Sequence, residues 1–372
     1  MKKLRVGIVG CGGMGGGHAI AIASGTGYAA WNEMPELPGI DHSIDTDIGK
    51  KLELAGVYDI DHARMDWAKR HGFNLYESYE AMLQDQTIDI IVVATPNHLH
   101  HDMSIAAMRS GKHVLCEKPV TVTSAELESV IAVSKETGRV FYPRMNRRWD
   151  PDFKQVQKIY QEKLIGDVYR IESRVHGSRG IPGDWRGKKE YGGGMMLDWG
   201  VHLLDRLLML IPERVNQVYC TITNITNKDV DDGFTMNLLF ESGLTAVVEV
   251  GTCNFINLPM WYIAGTQGTC MINDWFSKGK IVQLKSWEDK DTTPIMAGAG
   301  LTKTMAPRQE NSVKEIPLPK VVFDNNELYS NLADTINGEA EQIVKPEEAL
   351  RVLKLIEAGL LSARLHKSVN FE

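Results

Sequence analysis

The chain has no excess of basic residues, no long apolar run and few cysteines. Its 372 residues include 41 Lys and Arg against 48 Asp and Glu, for a formal net charge of −7, whereas a nucleic-acid partner normally requires a basic face. No stretch approaches the roughly 18 to 20 apolar residues of a membrane span. The apolar run 6–9 near the N-terminus stops at glycines and is too short for a secretory signal. We therefore expect no nucleic-acid partner, no membrane contact and a cytoplasmic location.

The cysteines indicate neither disulfides nor a zinc site. Five of them, an odd number, are scattered through apolar segments without a Cys-x-x-Cys pair, which predicts buried reduced thiols. Three histidines lie close together at 98, 100 and 101, but a single loop-to-helix junction is not expected to bring all three onto one ion. No metal is predicted.

The first part of the chain alternates short apolar strands with amphipathic helices, a pattern typical of a parallel α/β sheet. The predicted strands are 5–9, 52–58, 88–94, 113–116 and 140–142. Thr123 and Glu126 have capping-box spacing before a helix that reaches Glu136, and Asp61 can cap a helix that ends near His71. These elements predict an N-terminal Rossmann domain with a doubly wound parallel sheet, over residues 1–146.

The remainder, 147–372, has the pattern of an α+β domain with an open, mostly antiparallel sheet. A helix follows Asp150 and Pro151, and the predicted strands include 168–175, 235–240, 244–250 and 269–273. A final helix is predicted over about 346–365 and is expected to pack against the body of the protein.

A glycine-rich turn directly follows the first predicted strand. Its pattern is G-x-G-x-x-G, formed with Gly10, Gly12, Gly13, Met14 and Gly15. Glycines there permit a tight turn and let backbone N–H groups approach a pyrophosphate at a helix N-terminus. A strand before the turn and a helix after it favour a dinucleotide-binding site, although glycine-rich turns also occur for purely structural reasons.

Asp59 ends the strand 52–58 and is the predicted partner of the adenosine ribose, with Ile60 beside it. A carboxylate there accepts hydrogen bonds from ribose hydroxyls and repels the extra phosphate of NADP, and no Arg directly follows Asp59 to compensate. NAD is therefore favoured over NADP as the cofactor. The alternative is that Asp59 merely begins a turn.

Two further strand ends carry polar side chains. Thr95, Pro96, Asn97 and His100 follow one strand and are expected to line the cofactor crevice or cap the next helix. Lys118 follows the strand 113–116, and because parallel sheets bind ligands at the carboxyl ends of their strands, it is predicted to point into the same crevice.

Asp198 and His202 are four residues apart, which places both on one face if 196–208 is helical. Asp205 could orient His202. A His on an otherwise apolar helix is often a packed core residue, but a carboxylate one turn earlier and Lys118 elsewhere favour a catalytic group.

These motifs, in this order, resemble the Gfo/Idh/MocA oxidoreductases, relatives of glucose-fructose oxidoreductase and inositol dehydrogenase. The resemblance covers nearly the whole chain and rests on GCGGMG, TPNHLH, GKHVLCEKP and GGGMMLDWGVHLLD. It implies an NAD-binding Rossmann domain and a second domain whose open sheet forms a homo-oligomer, a dimer or a tetramer.

The resemblance also assigns roles to individual residues. Glu117 and Lys118 would lie beside the nicotinamide and the substrate, His202 would be the general base, and Asp198 would hold the substrate and its charged neighbours. Two stretches similar to those that border the sugar in the family supply further substrate-binding residues, Arg148, Trp185 and Arg186.

The leading interpretation is an NAD-dependent dehydrogenase that oxidises a secondary hydroxyl of a sugar, a sugar derivative or an inositol. One alternative is a redox-neutral glycosidase that oxidises and re-reduces its substrate with bound NAD. Another is a non-catalytic regulator that senses NAD or a sugar on the same fold, although the intact Lys118 and His202 argue against it.

One segment departs from the family pattern. The acid of a dinucleotide site usually follows the glycine turn by about 20 residues, but here an insertion over about 29–51 delays it. Its prolines and acids suit a surface segment, while Trp31, Met34, Leu37 and Ile40 are more apolar than a solvated loop requires. We expect an ordered flap near the adenosine side or the active-site entrance.

Overall fold

The first half of the chain folds around a parallel sheet. The computed structural model describes residues 2–26, 39–41, 46–288, 294–324 and 326–372. The strands of the first half are Leu4–Val9 (β1), Ile40–Asp41 (β2), Leu52–Tyr58 (β3), Ile90–Val93 (β4), His113–Cys116 (β5) and Phe141–Pro143 (β6). The helices are Gly13–Ser24 (α1), His62–Arg70 (α2), Tyr79–Gln84 (α3), His100–Arg109 (α4) and Ser124–Thr137 (α5). All strands but β2 form one sheet of order β3-β1-β4-β5-β6, and every pairing in it is parallel.

This strand order creates the ligand crevice. The chain passes from β1 to one side of the sheet at β3 and then to the other side at β4, so the connections diverge from β1. Open parallel sheets bind ligands at such a switch point, outside the carboxyl ends of the strands. Gly10, Thr95 and Lys118 all lie at that edge, as predicted from the sequence.

Local sequence signals set the helix boundaries in this half. Thr123 accepts a hydrogen bond from the N–H of Glu126, whose carboxylate accepts one from the N–H of Thr123, so the predicted capping box is present. The Asp61 carboxylate accepts from the N–H of Ala63 and caps α2. Both side chains occupy backbone donors that the helix itself leaves without a partner.

The second half is built on a nine-stranded sheet of order β16-β13-β12-β11-β7-β10-β9-β8-β18. Its strands are Val168–His176 (β7), Val215–Thr223 (β8), Gly233–Phe240 (β9), Thr245–Gly251 (β10), Trp261–Gly265 (β11), Gly268–Ile272 (β12), Gly279–Leu284 (β13), Val313–Ile316 (β16) and Val369–Asn370 (β18). A small hairpin joins Ile295–Ala297 (β14) to Gly300–Thr302 (β15), and Val321–Val322 is β17. Only the β7–β10 pairing of the nine-stranded sheet is parallel among the described residues, so the mostly antiparallel sheet is confirmed.

Four α-helices accompany this sheet in the described ranges, and one helix has an unusual first turn. The α-helices are Pro151–Gln161 (α6), Val201–Leu210 (α7), Glu327–Ile336 (α8) and Pro346–Leu365 (α9), and short 3₁₀ turns lie at Ile48–Lys50, Asn97–Leu99, Asn146–Trp149, Trp185–Gly187, Lys189–Tyr191 and Glu310–Ser312. The predicted helix over 196–208 is split, because Met196–Gly200 is a π-helical turn and α7 begins only at Val201. Such turns are rare and often occur at functional sites.

The last two helices bind the halves together. Lys51 Nζ, from the first half, donates to Ser330 and Asp334 of α8 at 2.6 and 2.7 Å. Glu357 of α9 accepts two hydrogen bonds from Ser124 at the start of α5. On its other side, α9 places the Ser362 hydroxyl 3.0 Å from the N–H of Cys220 in β8. The C-terminal helices therefore contact both sheets, and none of the described helices is long and apolar enough to cross a membrane.

Part of the insertion joins the two halves as well. Ile40–Asp41 pairs in parallel with Val321–Val322, and the Thr46 hydroxyl donates to Asp324 at 2.6 Å. The rest of the expected flap, 29–38 and 42–45, lies outside the described residues.

Candidate active site

The glycine turn has the shape that a pyrophosphate requires. Gly10 has a φ of 87°, and a Cβ there would lie 2.5 Å from the Ala94 carbonyl oxygen. A Cβ on Gly15 would lie 1.7 Å from the Gly10 carbonyl oxygen. The N-cap of α1 is Gly12, which has no side chain to cap the helix. The positive end of the α1 dipole therefore faces the crevice, where a phosphate is stabilised.

Asp59 supports this turn from the neighbouring strand end. Its Oδ2 accepts a hydrogen bond from the N–H of Cys11 at 2.6 Å, and its Oδ1 accepts one from the N–H of Asp61 at 2.9 Å. Asp59 therefore begins a turn and also lies beside the glycine turn, and its contact with the adenosine ribose stays a prediction. Ile60 is 83% exposed next to it.

The fold brings to Asp59 a cation that the sequence analysis missed. No Arg directly follows Asp59, but α2 places Arg64 Nη1 3.6 Å from Asp59 Oδ2. Arg64, Trp67 and Arg70 also line a crevice of about 620 Å³ beside the glycine turn. Arg64 is half-exposed, so it balances only part of the Asp59 charge that would repel an NADP phosphate.

The residues after β4 divide into two groups. Thr95 Oγ1 is buried and has no hydrogen-bond partner among the described residues, so it can serve a ligand. Asn97 instead donates to the Gly192 carbonyl at 2.8 Å and ties the two halves together. His100 is buried with Nδ1 2.7 Å from the Pro119 carbonyl oxygen and Nε2 2.8 Å from that of Thr95. Asn97 and His100 hold the crevice walls, and Pro96 precedes the 3₁₀ turn between them.

Lys118 crosses from the first half to the second. Its Nζ lies 2.7 Å from Asp198 Oδ1 and 2.8 Å from the Asp198 carbonyl oxygen. Arg186 Nε lies 3.6 Å from Asp198 Oδ2. Burial by itself would raise the pKa of Asp198, but Lys118 and Arg186 outweigh it and lower that pKa below its ordinary value. Asp198 is thus an anion that holds two cations in place.

His202 is buried and neutral. Burial, followed by the charges of Lys118 and Arg147, lowers its pKa well below the ordinary value. Its Nδ1 has no hydrogen-bond partner in the described parts of the chain. A neutral imidazole can accept a proton, so the side chain meets the first requirement of a general base.

The expected roles of Asp205 and Arg148 need correction. Arg148 donates through Nε and Nη2 to both oxygens of Asp205, and through Nη1 to Glu348 and the Ile343 carbonyl. Both side chains are almost fully buried. Asp205 therefore does not orient His202, and Arg148 faces the protein interior instead of a substrate. A buried arginine without such partners would carry a large desolvation cost, which explains the arrangement.

An aromatic cleft of about 670 Å³ opens beside Trp199, the neighbour of Asp198 in the chain. The Arg147 guanidinium lies 4.8 Å from the ring centroids of both Trp199 and Trp275, and the Trp199 ring is 6.0 Å from that of His202. The sequence analysis missed these three side chains. The sequence did contain a signal for Trp199, because it lies between Asp198 and His202. Trp275 comes from a distant loop, and no sequence pattern links it to the site.

The remaining predicted residues lie at the edge of this arrangement. Trp185 packs against Arg186, whose guanidinium is 4.5 Å from the ring centroid, and Arg186 in turn reaches Asp198. Across the described ranges, no group of three or more His, Cys, Asp or Glu side chains is placed to hold a metal ion. The three neighbouring histidines diverge: His98 packs on Tyr191, and His101 bonds to Asp102 and Ser129.

A glycine turn at a parallel-sheet switch point, with a largely buried lysine–carboxylate pair and a neutral histidine nearby, is typical of a dinucleotide-binding oxidoreductase of the Rossmann class. Residues 4–144 match the family described as "Oxidoreductase family, NAD-binding Rossmann fold", and residues 153–271 match the GFO/IDH/MocA C-terminal domain. The chain belongs to the Gfo/Idh/MocA oxidoreductase family.

Individual relatives agree with this assignment. An NAD-binding protein from Listeria innocua, known as a crystal structure, is 42% identical over 100% of both chains, with a TM-score of 0.89. The scyllo-inositol 2-dehydrogenase (NADP(+)) IolW of Bacillus subtilis is 25% identical over 79% of this chain and 82% of its own. Levoglucosan dehydrogenase of Pseudarthrobacter phenanthrenivorans is 26% identical over 73% of this chain and 74% of its own.

The pair of Asp59 and Arg64 leads to a prediction about cofactor choice. The protein should bind NAD more tightly than NADP, and Asp59→Ser should narrow the difference, because the carboxylate repels the extra phosphate by about 1 to 3 kcal/mol. Asp59→Asn separates the effect of the charge from that of the hydrogen bond, because the amide oxygen can still accept from the N–H of Cys11. Arg64→Ala should widen the difference. Calorimetric dissociation constants for both cofactors measure this, and tighter binding of NADP by the unmodified protein would overturn the assignment.

Proposed function

We propose that the protein oxidises a secondary hydroxyl of a cyclic sugar, sugar derivative or inositol, with NAD as the hydride acceptor. The observation that carries the proposal is the junction of the two halves, where Lys118 from the end of β5 meets Asp198. His202 lies one turn further along the same helical segment. Acid, cation and imidazole thus lie between a dinucleotide crevice and an aromatic cleft.

The residues present fit the cofactor. A Cβ at Gly10 or Gly15 would clash with backbone atoms, so the close turn requires glycine there, and a Cβ at Gly13 would meet only open space. The buried Thr95 hydroxyl has no hydrogen-bond partner among the described residues. The glycine turn, Asp59 and Thr95 would hold the dinucleotide. When bound, NAD supplies the nicotinamide ring that accepts a hydride.

Lys118 stabilises the substrate oxygen in this proposal. An ammonium group has three hydrogens, and the described contacts with Asp198 use two of them. The third can donate to the hydroxyl that is oxidised and stabilise the negative charge that develops on its oxygen. Asp198 keeps Lys118 aimed, because its carboxylate and its carbonyl bind the same ammonium.

His202 removes the hydroxyl proton. Its depressed pKa keeps the imidazole neutral over the ordinary working range, so the base is present without prior deprotonation. The nearby cations that lower this pKa also favour the alkoxide form of the substrate. Base and cation therefore act on the same oxygen.

The aromatic cleft favours a ring-shaped substrate. The faces of Trp199 and Trp275 can pack on the C–H faces of a pyranose or cyclitol, while charged groups bind its hydroxyls. The names of two relatives, an inositol dehydrogenase and a levoglucosan dehydrogenase, support the same class. We replace Arg148 by Arg147 as the arginine proposed to contact the substrate.

A panel of substrates tests the proposal and separates the alternatives. Cyclitols, aldoses, anhydrosugars, uronates and glycosides would be supplied with NAD, and NADH absorbance and product release would both be followed. We expect net NADH from a cyclic polyol. Cleavage of a glycoside without net NADH would instead support the redox-neutral glycosidase. Binding of NAD and sugar without any turnover would support the sensing regulator.

The catalytic assignment leads to a further prediction. Lys118→Ala and His202→Ala should each lower turnover by at least about a hundredfold while NAD binding persists, as expected of electrostatic and acid–base roles. His101→Ala is the matched control and should retain activity, because it alters a partly exposed histidine of the Rossmann domain that also contains Lys118. If His202 only packs the interior, its replacement should lower the melting temperature and leave the folded fraction fully active.

We also propose that the chain forms a homo-oligomer through the open face of the nine-stranded sheet. Tyr219 and Leu239 are 39% and 37% exposed there, and large apolar side chains grouped on one face are typical of an interface. Light scattering should show more than one chain per particle, and Tyr219→Lys should reduce that mass. A single-chain mass for the unmodified protein would exclude the proposal.

We also propose that the protein is located in the cytoplasm. All five cysteines are free thiols, and four of them are buried. Unpaired thiols are typical of proteins in reducing compartments.

A further inference from the structure

Besides His100 and His202, the buried histidines include His18, which lies in the interior between the two halves of the site. It belongs to the second turn of α1 and is 0% exposed. Its Nε2 lies 2.9 Å from Glu117 Oε1, and its Nδ1 lies 2.7 Å from the Tyr329 hydroxyl. Tyr329 comes from α8 and lines the aromatic cleft. One imidazole thus joins the cofactor-binding helix, the loop of Lys118 and the wall of the cleft.

The charges around His18 determine which nitrogen carries its hydrogen. Burial and then the charge of Arg144 lower the pKa of His18, although Glu117 opposes this, so the ring is neutral and has one N–H. Burial would raise the pKa of Glu117, but Arg144, His18 and Lys118 outweigh it and lower that pKa to about 2. A carboxylate only accepts hydrogen bonds. His18 must therefore donate from Nε2, and Tyr329 must donate to Nδ1.

These hydrogen bonds run from Tyr329 through His18 to Glu117 and end at the backbone N–H of Lys118. Glu117 Oε1 receives the His18 hydrogen bond and the Arg144 guanidinium at 3.0 Å, and Oε2 accepts from the N–H of Lys118 at 3.2 Å. The position of the Lys118 backbone therefore depends on the orientation of a buried carboxylate. Removal of one of its donors would leave that carboxylate under-satisfied, which is costly in a low-dielectric interior.

We propose that His18, held in one tautomer by the Glu117 carboxylate and fixed by a hydrogen bond from Tyr329, is a positioning residue that orients Glu117 and thereby aims Lys118 at the substrate oxygen. The role of Lys118 rests on the proposed function, but the dependence of the Lys118 position on His18 does not. His18 belongs to the pyrophosphate-binding helix and Tyr329 to the cleft, so these hydrogen bonds also couple the cofactor crevice to the substrate cleft.

Three variants test the proposal against a structural control. His18→Leu fills the space without a donor, His18→Gln keeps an N–H toward Glu117, and Tyr329→Phe keeps the ring but removes the hydroxyl that donates to His18 Nδ1. His113 is a half-buried histidine at the opposite end of the strand that leads to Glu117, where its Nδ1 accepts from the N–H of Val140. His113→Leu is the control for a purely structural loss.

The activity readout uses the best substrate of the panel. We expect His18→Leu to lower kcat by about tenfold or more with little change in the NAD KM, and His18→Gln to recover most of the loss. We also expect the pKa of Glu117 to rise in His18→Leu, because its carboxylate loses a donor, and an NMR titration of that carboxyl group would follow the rise. The groups that lower the pKa of Glu117 are Arg144, His18 and Lys118. Burial lowers the pKa of His100 and raises that of Cys116, and the charge of Glu117 in turn opposes the first shift and adds to the second.

A second readout does not depend on turnover. Acetic anhydride labelling of Lys118, followed by mass spectrometry, should be several-fold faster in His18→Leu, because the ammonium is no longer held on Asp198. Nitrogen chemical shifts of labelled imidazoles should show the Nε2–H tautomer of His18 in the unmodified protein. Unchanged Lys118 labelling in His18→Leu, or an Nδ1–H tautomer, would overturn the inference even if no substrate is found. A panel without turnover but with altered labelling would instead overturn only the proposed function.

Discussion

The contact of Lys118 with Asp198 is the interaction on which the rest of the site depends. The two residues come from different halves of the chain: Lys118 follows a strand of the Rossmann sheet, and Asp198 lies in the π-helical turn before α7. Their ion pair exists only because the C-terminal helices hold the two sheets at a fixed distance. The desolvation cost of a half-buried pair is offset by two hydrogen bonds and a second cation, Arg186.

The same constraint explains how charge is distributed around the cleft. Three cations near His202 have carboxylate partners: Lys118 has Asp198, Arg144 has Glu117 and Arg147 has Asp150. Among the described residues, His202 has no such partner and stays neutral beside these pairs. The site therefore keeps a neutral base close to several cations, a combination that a solvated surface would not maintain.

Some of this arrangement follows from local sequence. The glycine turn needs Gly10 and Gly15 because of contacts one strand away, yet its pattern is recognisable without them. Strands β3 and β5 and helix α9 have the predicted bounds, because apolar runs, caps and a proline at a helix start act over a few residues. The spacing of Asp198 and His202 predicted one α-helical face, but the turn that contains Asp198 is π-helical.

Other features were decided by tertiary structure alone. Arg148 and Arg147 are adjacent and chemically identical, and only the packing of α6, α7 and α9 determines that one faces Asp205 and the other the tryptophans. Arg64 meets Asp59 because α2 folds back on β3, and His18 meets Tyr329 across more than three hundred residues of chain. The sequence by itself determined the family, the parallel sheet and the cofactor turn, which depend on short-range patterns. The partner of each buried charge depended on the three-dimensional fold, because an ion pair requires only proximity in space and leaves no spacing in the sequence.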